Sequence, residues 1–199
     1  FIADVVAGFA IREKDIMEGD LYDSPQKPFG GEEDILFSPD GQKVLYVCKK
    51  KTGTEYAIST NTDIYVYDIA TGSTENITED RKGYDMSPIF SADGSKLAWL
   101  SMPREGFEAD KNELWMMDWA TKGKQCITQS FDETVSSFRW TANNQSIYFI
   151  SPYHGTEQVY EASWMADEEN AIQIKSISNG MFDITGMFAQ VQNKLFVTR

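Results

Sequence analysis

The chain has 199 residues, 41% of them hydrophobic and 25% charged, the profile of a globular protein with a substantial core. Eighteen basic against 31 acidic residues give a net charge of −13, which argues against nucleic acid and anionic membrane surfaces as partners. No apolar run approaches the ~18 residues of a membrane span. There is no P-loop, dinucleotide fingerprint, C-x-x-C pair or G-x-S-x-G nucleophile elbow, so no cofactor is implied.

The chain opens at Phe1 inside a strand pattern, which reads as a piece of a longer protein. Residues 1–8 repeat the pattern of residues 65–72, so residues 1–17 are expected to form the outer half of a four-stranded unit. Residues 18–33, with Pro25, Pro28 and Gly30-Gly31, form a long link. The first whole unit occupies 34–80. Its residues 34–47, D-I-L-F-S-P-D-G-Q-K-V-L-Y-V, spell a strand, an Asp-Gly turn and an alternating second strand. Residues 63–78 add a third strand, a turn opened by Asp68 and a short outer strand closing on Ile77-Thr78.

The second unit, 87–130, repeats all of this. S-P-I-F-S-A-D-G-S-K-L-A-W-L occupies 87–100, and E-L-W-M-M-D-W-A-T-K-G-K-Q-C-I-T occupies 113–128. Its strands two and three are separated by a longer link, 101–112. The third unit, 135–180, is weaker, with Asn143-Asn144 in place of Asp-Gly and outer strands at 158–160 and 171–177. Residues 182–199 are expected to supply the inner half of one more unit, turning near Asn193.

A self-similar unit of this length, made almost wholly of strands, is a β-propeller blade. The fold class is therefore all-β, a propeller fragment of four-stranded antiparallel blades about four blades long. The two half-blades could join in a closed ring, or the chain could be an arc of a larger propeller, which is the favoured arrangement.

Few residues suggest chemistry. His154, the single histidine, lies beside Gly155 in a turn and reads as a loop residue, not a member of a triad. The S-x-D-G strings lack the residue between Asp and Gly that a sialidase Asp-box needs, so they are structural turns. Cys48 and Cys126 fall in strand-like stretches and read as small buried hydrophobes, with a disulfide between them left open. Carboxylates cluster at Glu32, Glu33 and Asp34, and at Glu105, Glu108, Asp110 and Glu113. Neither cluster has the alternate spacing of a calcium loop. Arg104 beside the second cluster makes a mixed site suited to a small zwitterion.

Three strings carry a resemblance to a family: P-F-G-G-E-E-D-I-L-F-S-P-D-G (28–41), S-T-N-T-D-I-Y (59–65) and S-M-P-R-E-G-F-E-A-D-K-N-E-L-W (101–115). They resemble the propeller domain of prolyl oligopeptidase family serine peptidases, in the dipeptidyl-peptidase V and acylaminoacyl-peptidase-like branch. The resemblance implies a parent exopeptidase whose triad sits in an α/β-hydrolase domain not contained here. It implies that this chain is catalytically silent, gates the active site and docks peptide substrates. It also implies that a propeller carboxylate binds the substrate's free α-ammonium. Glu108 is the residue expected to supply that charge, with Asp110 or Arg104 orienting it. A periplasmic or secreted location goes with this branch, although cytoplasmic members exist. The competing reading is a TolB-like binding scaffold with no enzymatic parent.

Overall fold

A computed structural model describes residues 1–26, 30–164 and 171–199. Pro28 in the first link and residues 165–170 of the third blade lie outside the described residues. Three four-stranded antiparallel sheets follow one another along the chain. The first contains β3 (Ile35–Phe37), β4 (Lys43–Cys48), β5 (Asp63–Asp68) and β6 (Thr74–Asn76). The second contains β7 (Asp85–Phe90), β8 (Lys96–Ser101), β9 (Glu113–Asp118) and β10 (Lys124–Cys126). The third contains β11 (Ser137–Trp140), β12 (Ser146–Tyr153), β13 (Thr156–Trp164) and β14 (Ile172–Ser176). Strands in each sheet lie in sequence order, the simple meander that tight turns allow.

The two ends are two-stranded. β1 (Ile2–Val6) pairs with β2 (Phe9–Lys14), and β15 (Gly186–Val191) pairs with β16 (Lys194–Thr198). The two hairpins are separate sheets. A short helix, α1 (Gly53–Ile58), stands between β4 and β5, where strand alternation did not anticipate one.

The turn between the first two strands of each blade is built three times from one set of bonds. Ser38 Oγ donates to Asp40, which accepts from the Gln42 N–H at 3.0 Å, and Ser38 Oγ accepts from the Lys43 N–H at 2.9 Å. Ser91, Asp93, Ser95 and Lys96 repeat the arrangement, as do Thr141, Asn143, Gln145 and Ser146. The fourth residue of each string must turn left-handed: φ is 68° at Gly41, 71° at Gly94 and 58° at Asn144. Asn is the non-glycine residue that tolerates this best, which explains how the third blade keeps the turn without the glycine. Asp68 and Asp118 cap the second turns, accepting from the Thr71 and Thr121 N–H groups at 2.9 and 2.8 Å.

Blades stack through apolar faces. Leu45, Val47, Ile64 and Val66 of the first meet Leu97, Trp99 and Met117 of the second. Leu100, Leu114 and Met116 meet Phe138, Trp140, Phe149 and Tyr160 of the third. Each fully buried side chain of this size contributes about 1.5–3 kcal/mol, so the stack is the main source of stability. Cys48 is buried and Cys126 half-buried, both as free thiols. Burial pushes each thiol up to about 11, which keeps them unreactive near neutral pH. His154 takes φ 49° in the β12–β13 turn with its ring edge-on to Tyr153, a turn residue as its sequence suggests.

Candidate functional site

The links between second and third strands all leave from one end of the stack, opposite the repeated turns. In the first two blades they are long, residues 49–62 and 102–112; in the third the connection is 154–155. The first two fold onto each other. Ser59 Oγ donates to the Glu105 carboxylate, and Thr60 Oγ1 accepts from the Gly106 N–H at 2.8 Å. Thr62 and Tyr84 form a parallel bridge that carries the first blade into the second.

The link before β3 reaches the same end. Gly30 N–H donates to the Gln26 carbonyl at 2.7 Å, and a Cβ on Gly30 would lie 2.8 Å from Asp34 Oδ2 and from the Gln26 backbone, so only glycine fits. A 3-10 turn, Glu32–Asp34, then buries Asp34. Its carboxylate accepts from the Ser87 N–H at 3.0 Å. Ser87 holds φ 54° at an irregularity in the β7–β8 register, just before Pro88. A non-glycine residue in that conformation stores strain of order 1 kcal/mol or more. Burial raises the Asp34 pKa, with the charge of Glu33 adding to it and the Ser87 and Gly31 amides opposing it.

Two adjoining cavities result. One, of about 230 Å³, is lined by Glu33, Asp34, Tyr84, Met86, Met102 and Glu108. The other, of about 430 Å³, is lined by Gln26, Lys49, Tyr56, Ser59, Tyr84 and Glu108 among others. Tyr84 and Glu108 belong to both walls. Burial raises the Tyr84 pKa, and the charges of Asp34 and Glu108 add to the effect.

The three residues singled out in the sequence are thus on one loop but in two settings. Arg104 and Asp110 take up each other: Nε lies 3.0 and 2.9 Å from the two carboxylate oxygens, and the guanidinium stacks on Phe107 at 4.0 Å. The pairing holds the Asp110 carboxyl below its ordinary range. Glu108 faces the cavities instead. Among the described residues no hydrogen bond or ion pair engages its carboxylate. Its electrostatic neighbours are Lys49 and Tyr84, not Arg104.

Sequence reading missed Gln26, Lys49, Tyr56 and Tyr84. A signal for three of them was present. The blade period places residues 49–62 at the same station as the 101–112 link, so Lys49 and Tyr56 belonged to a functional loop by position. Tyr84 just precedes the second blade's first strand, as Glu33 precedes that of the first.

Beneath the cavities lies a buried polar cluster. Asp85, between Tyr84 and Met86, accepts from Trp99 Nε1 at 3.0 Å. Arg81 stands 3.7 Å from both Asp85 and Glu113, donates to Ser101 Oγ at 2.7 Å and stacks on Trp115 at 3.9 Å. Burial pushes the Asp85 carboxyl up to about 7, against the opposing pull of Ser101, Arg81 and Trp99.

Successive four-stranded meanders stacked face to face, with long links gathered at one end around a cavity, define a β-propeller. Residues 35–194 match the TolB beta propeller domain, and the chain belongs to that family. It is 39% identical over 183 residues to a dipeptidyl-peptidase 5 of Porphyromonas gingivalis, covering 92% of this chain and 26% of that protein. It is 39% identical over 190 residues to a dipeptidyl-peptidase 5 of Porphyromonas endodontalis, covering 96% and 27%. The chain thus spans about a quarter of the length of these curated relatives. Among solved structures it is similar to TolB from Acinetobacter baumannii, with a TM-score of 0.53 and 21% identity over 82% of this chain and 39% of that one, a likeness of fold. No helix among the described residues is long and apolar enough to cross a membrane.

Proposed function

We propose that this chain is the propeller portion of a serine dipeptidyl peptidase, where it gates the active site and docks peptides by their free α-ammonium. The observation that carries the reading is Glu108: a carboxylate with no partner among the described residues, on the wall shared by two cavities, with Glu33 and Asp34 adding negative charge nearby. An ammonium seated there gains a charge-assisted hydrogen bond. An acylated N-terminus offers no cation, and covering Glu108 with it strips water from a carboxylate without replacing it. Selectivity for a free amine follows, and with it a fixed register of cleavage. Arg104 and Asp110 act through the loop, which their pairing stiffens. The partner in this reading is an α/β-hydrolase domain of the same parent chain. The similarity to the Porphyromonas peptidases also supports a periplasmic or secreted location.

The test is Glu108→Gln in the full-length protein, comparing a free dipeptidyl reporter with its N-acetylated form. The expected outcome is a fall of about 10²-fold in kcat/KM for the free reporter, some 2.7 kcal/mol of transition-state stabilisation, with the acetylated one unchanged. Equal effects on both reporters would sink the ammonium role. No cleavage by the folded, unmutated protein would favour a TolB-like scaffold instead.

A further inference from the structure

The larger cavity holds groups that an ammonium at Glu108 does not use. Lys49 directly follows β4 and is only 7% exposed. Its ammonium lies over the Tyr56 ring at 4.5 Å. Among the described residues no carboxylate lies within 4.0 Å of it, and Glu108 and Glu105 act on it from further away. Gln26 lines the same cavity, is 8% exposed, and its Oε1 has no hydrogen-bond partner among the described residues. Lys49, its stem covered, therefore stands with no ion-pair partner among the described residues beside the same space as a buried acceptor with none, and leaving that acceptor unmet is costly.

The missing complement has a definite chemistry. Lys49 calls for one negative charge, and Gln26 Oε1 calls for an N–H donor. The nearby Glu105 and Glu108 disfavour a dianion such as phosphate more strongly than a monoanion, so a carboxylate is the better complement to Lys49. A peptide carries a carboxylate next to an N–H at two places: its C-terminal residue, and an Asp or Glu side chain beside its own backbone amide.

We infer that the Lys49 cavity is a carboxylate subsite, in which Lys49 pairs with a carboxylate of the docked peptide and Gln26 accepts from the neighbouring peptide N–H. The inference rests on the Glu108 reading, which sets the peptide's direction: ammonium at the shared wall, carboxylate towards Lys49. An extended residue spans at most ~3.6 Å, so cavities that share a wall take a carboxylate within the first few residues of the ligand. Short peptides and peptides acidic near their N-terminus are the preferred ligands.

The experiment is titration calorimetry on the full-length protein, treated beforehand with a small serine-directed phosphonylating agent so that no peptide is consumed. Four probes suffice: a tripeptide with free ends, its C-terminal amide, its N-acetyl derivative, and the amide with Glu at the second position. The free tripeptide is expected to bind about 10-fold more tightly than its amide. Recovery of affinity by the Glu-bearing amide would assign the subsite to side chains, and no recovery would assign it to C-termini. Lys49→Met should abolish the difference and Lys49→Arg should retain part of it. If Lys49→Met does not fold, the acid and amide on the unmutated protein still decide. Equal binding of acid and amide overturns the inference, whatever acetylation does. Weakening by amidation without weakening by acetylation overturns the Glu108 reading alone, and absence of binding by all four probes overturns both.

Discussion

The two ends of the blade stack differ in kind. At the turn end, three blades make the same hydrogen bonds with Ser38, Ser91 and Thr141 in the same role. Neighbouring turns also touch there: a Cβ on Gly94 would sit 2.8 Å from Pro39 Cγ, and Asn144 Oδ1 accepts from the Ala92 N–H at 2.8 Å. At the other end no two links match. One carries a helix, one an Arg104–Asp110 clasp, and one is a tight turn at His154. Repetition marks what any blade needs in order to close. Divergence, where it comes with strain at Ser87 and an unmet acceptor at Gln26 beside Lys49, marks what is particular to this protein.

The largest effect should come from the core that both ends share. Phe149 is fully buried in the third blade, packed on Phe131 and Tyr160 at 5.2 and 5.4 Å between centroids. Phe149→Ala should cost about 3–5 kcal/mol, read as a lower urea midpoint. Below its reduced melting temperature the variant, in the full-length protein, should keep the proposed preference for free over acetylated peptides. Loss of that preference in folded protein would break the division between scaffold and site.

Next in size is a pH effect at the divergent end. A carboxyl held near 7 in the folded chain and near 3.8 when unfolded binds its proton more tightly when folded. Its contribution is present at low pH and is lost as pH rises from about 4 through about 7. The turn-end carboxylates Asp40, Asp68 and Asp93 run the other way: their pKa values are lowered by hydrogen bonds, so their contribution is lost as pH falls. Stability should therefore drop by a few kcal/mol less between pH 5 and pH 8 in Asp85→Asn than in the unmutated chain, measured by urea denaturation. Parallel pH profiles would mean that Asp85 is charged throughout the range.

The same contrast explains what could be read from the sequence. The turn end was legible because its chemistry is local: Ser, Asp and Gly bond within five residues of one another, and the pattern recurs. The loop that brings Glu108 to the cavity wall was legible for a similar reason, as a recognisable string between two strands. The Ser87–Asp34 bond, the Ser59–Glu105 bond and the cavity of Gln26 and Lys49 join residues far apart in the chain. Nothing in the local pattern at Lys49 distinguishes it from Lys50 and Lys51. Only packing separates Lys49, its ammonium over Tyr56, from Lys50, paired with Asp20, and Lys51, paired with Glu55.

Two glycine substitutions sharpen the comparison by their opposite signs. Ser87→Gly removes a left-handed serine but keeps the N–H that Asp34 accepts from, so it should stabilise by roughly 0.5–1 kcal/mol. Asn144→Gly relieves little, since Asn tolerates φ 58°, and it deletes the bond to Ala92 between blades, so it should destabilise by roughly 0.5–1 kcal/mol. Thermal melts of the two variants decide. The same sign for both would mean that backbone conformation outweighs the contacts between blades.

The smallest change in stability belongs to the Arg104–Asp110 clasp. Arg104 is exposed, and solvent screens such a pair, so Arg104→Ala should leave the melting temperature nearly unmoved. Its consequence should appear in the site instead. The clasp pairs Arg104 with Asp110 and stacks Arg104 on Phe107, and in the proposed reading it sets where Glu108 stands on the cavity wall. Releasing it gives Glu108 more positions to occupy and makes an ammonium pay for ordering it. KM for the free dipeptidyl reporter should rise a few-fold with kcat little changed, the acetylated reporter should be indifferent, and Arg104→Lys should restore part of the loss. A KM that does not move would confine the clasp to the loop itself and leave Glu108 held by the Ser59–Glu105 and Thr60–Gly106 bonds on its other side.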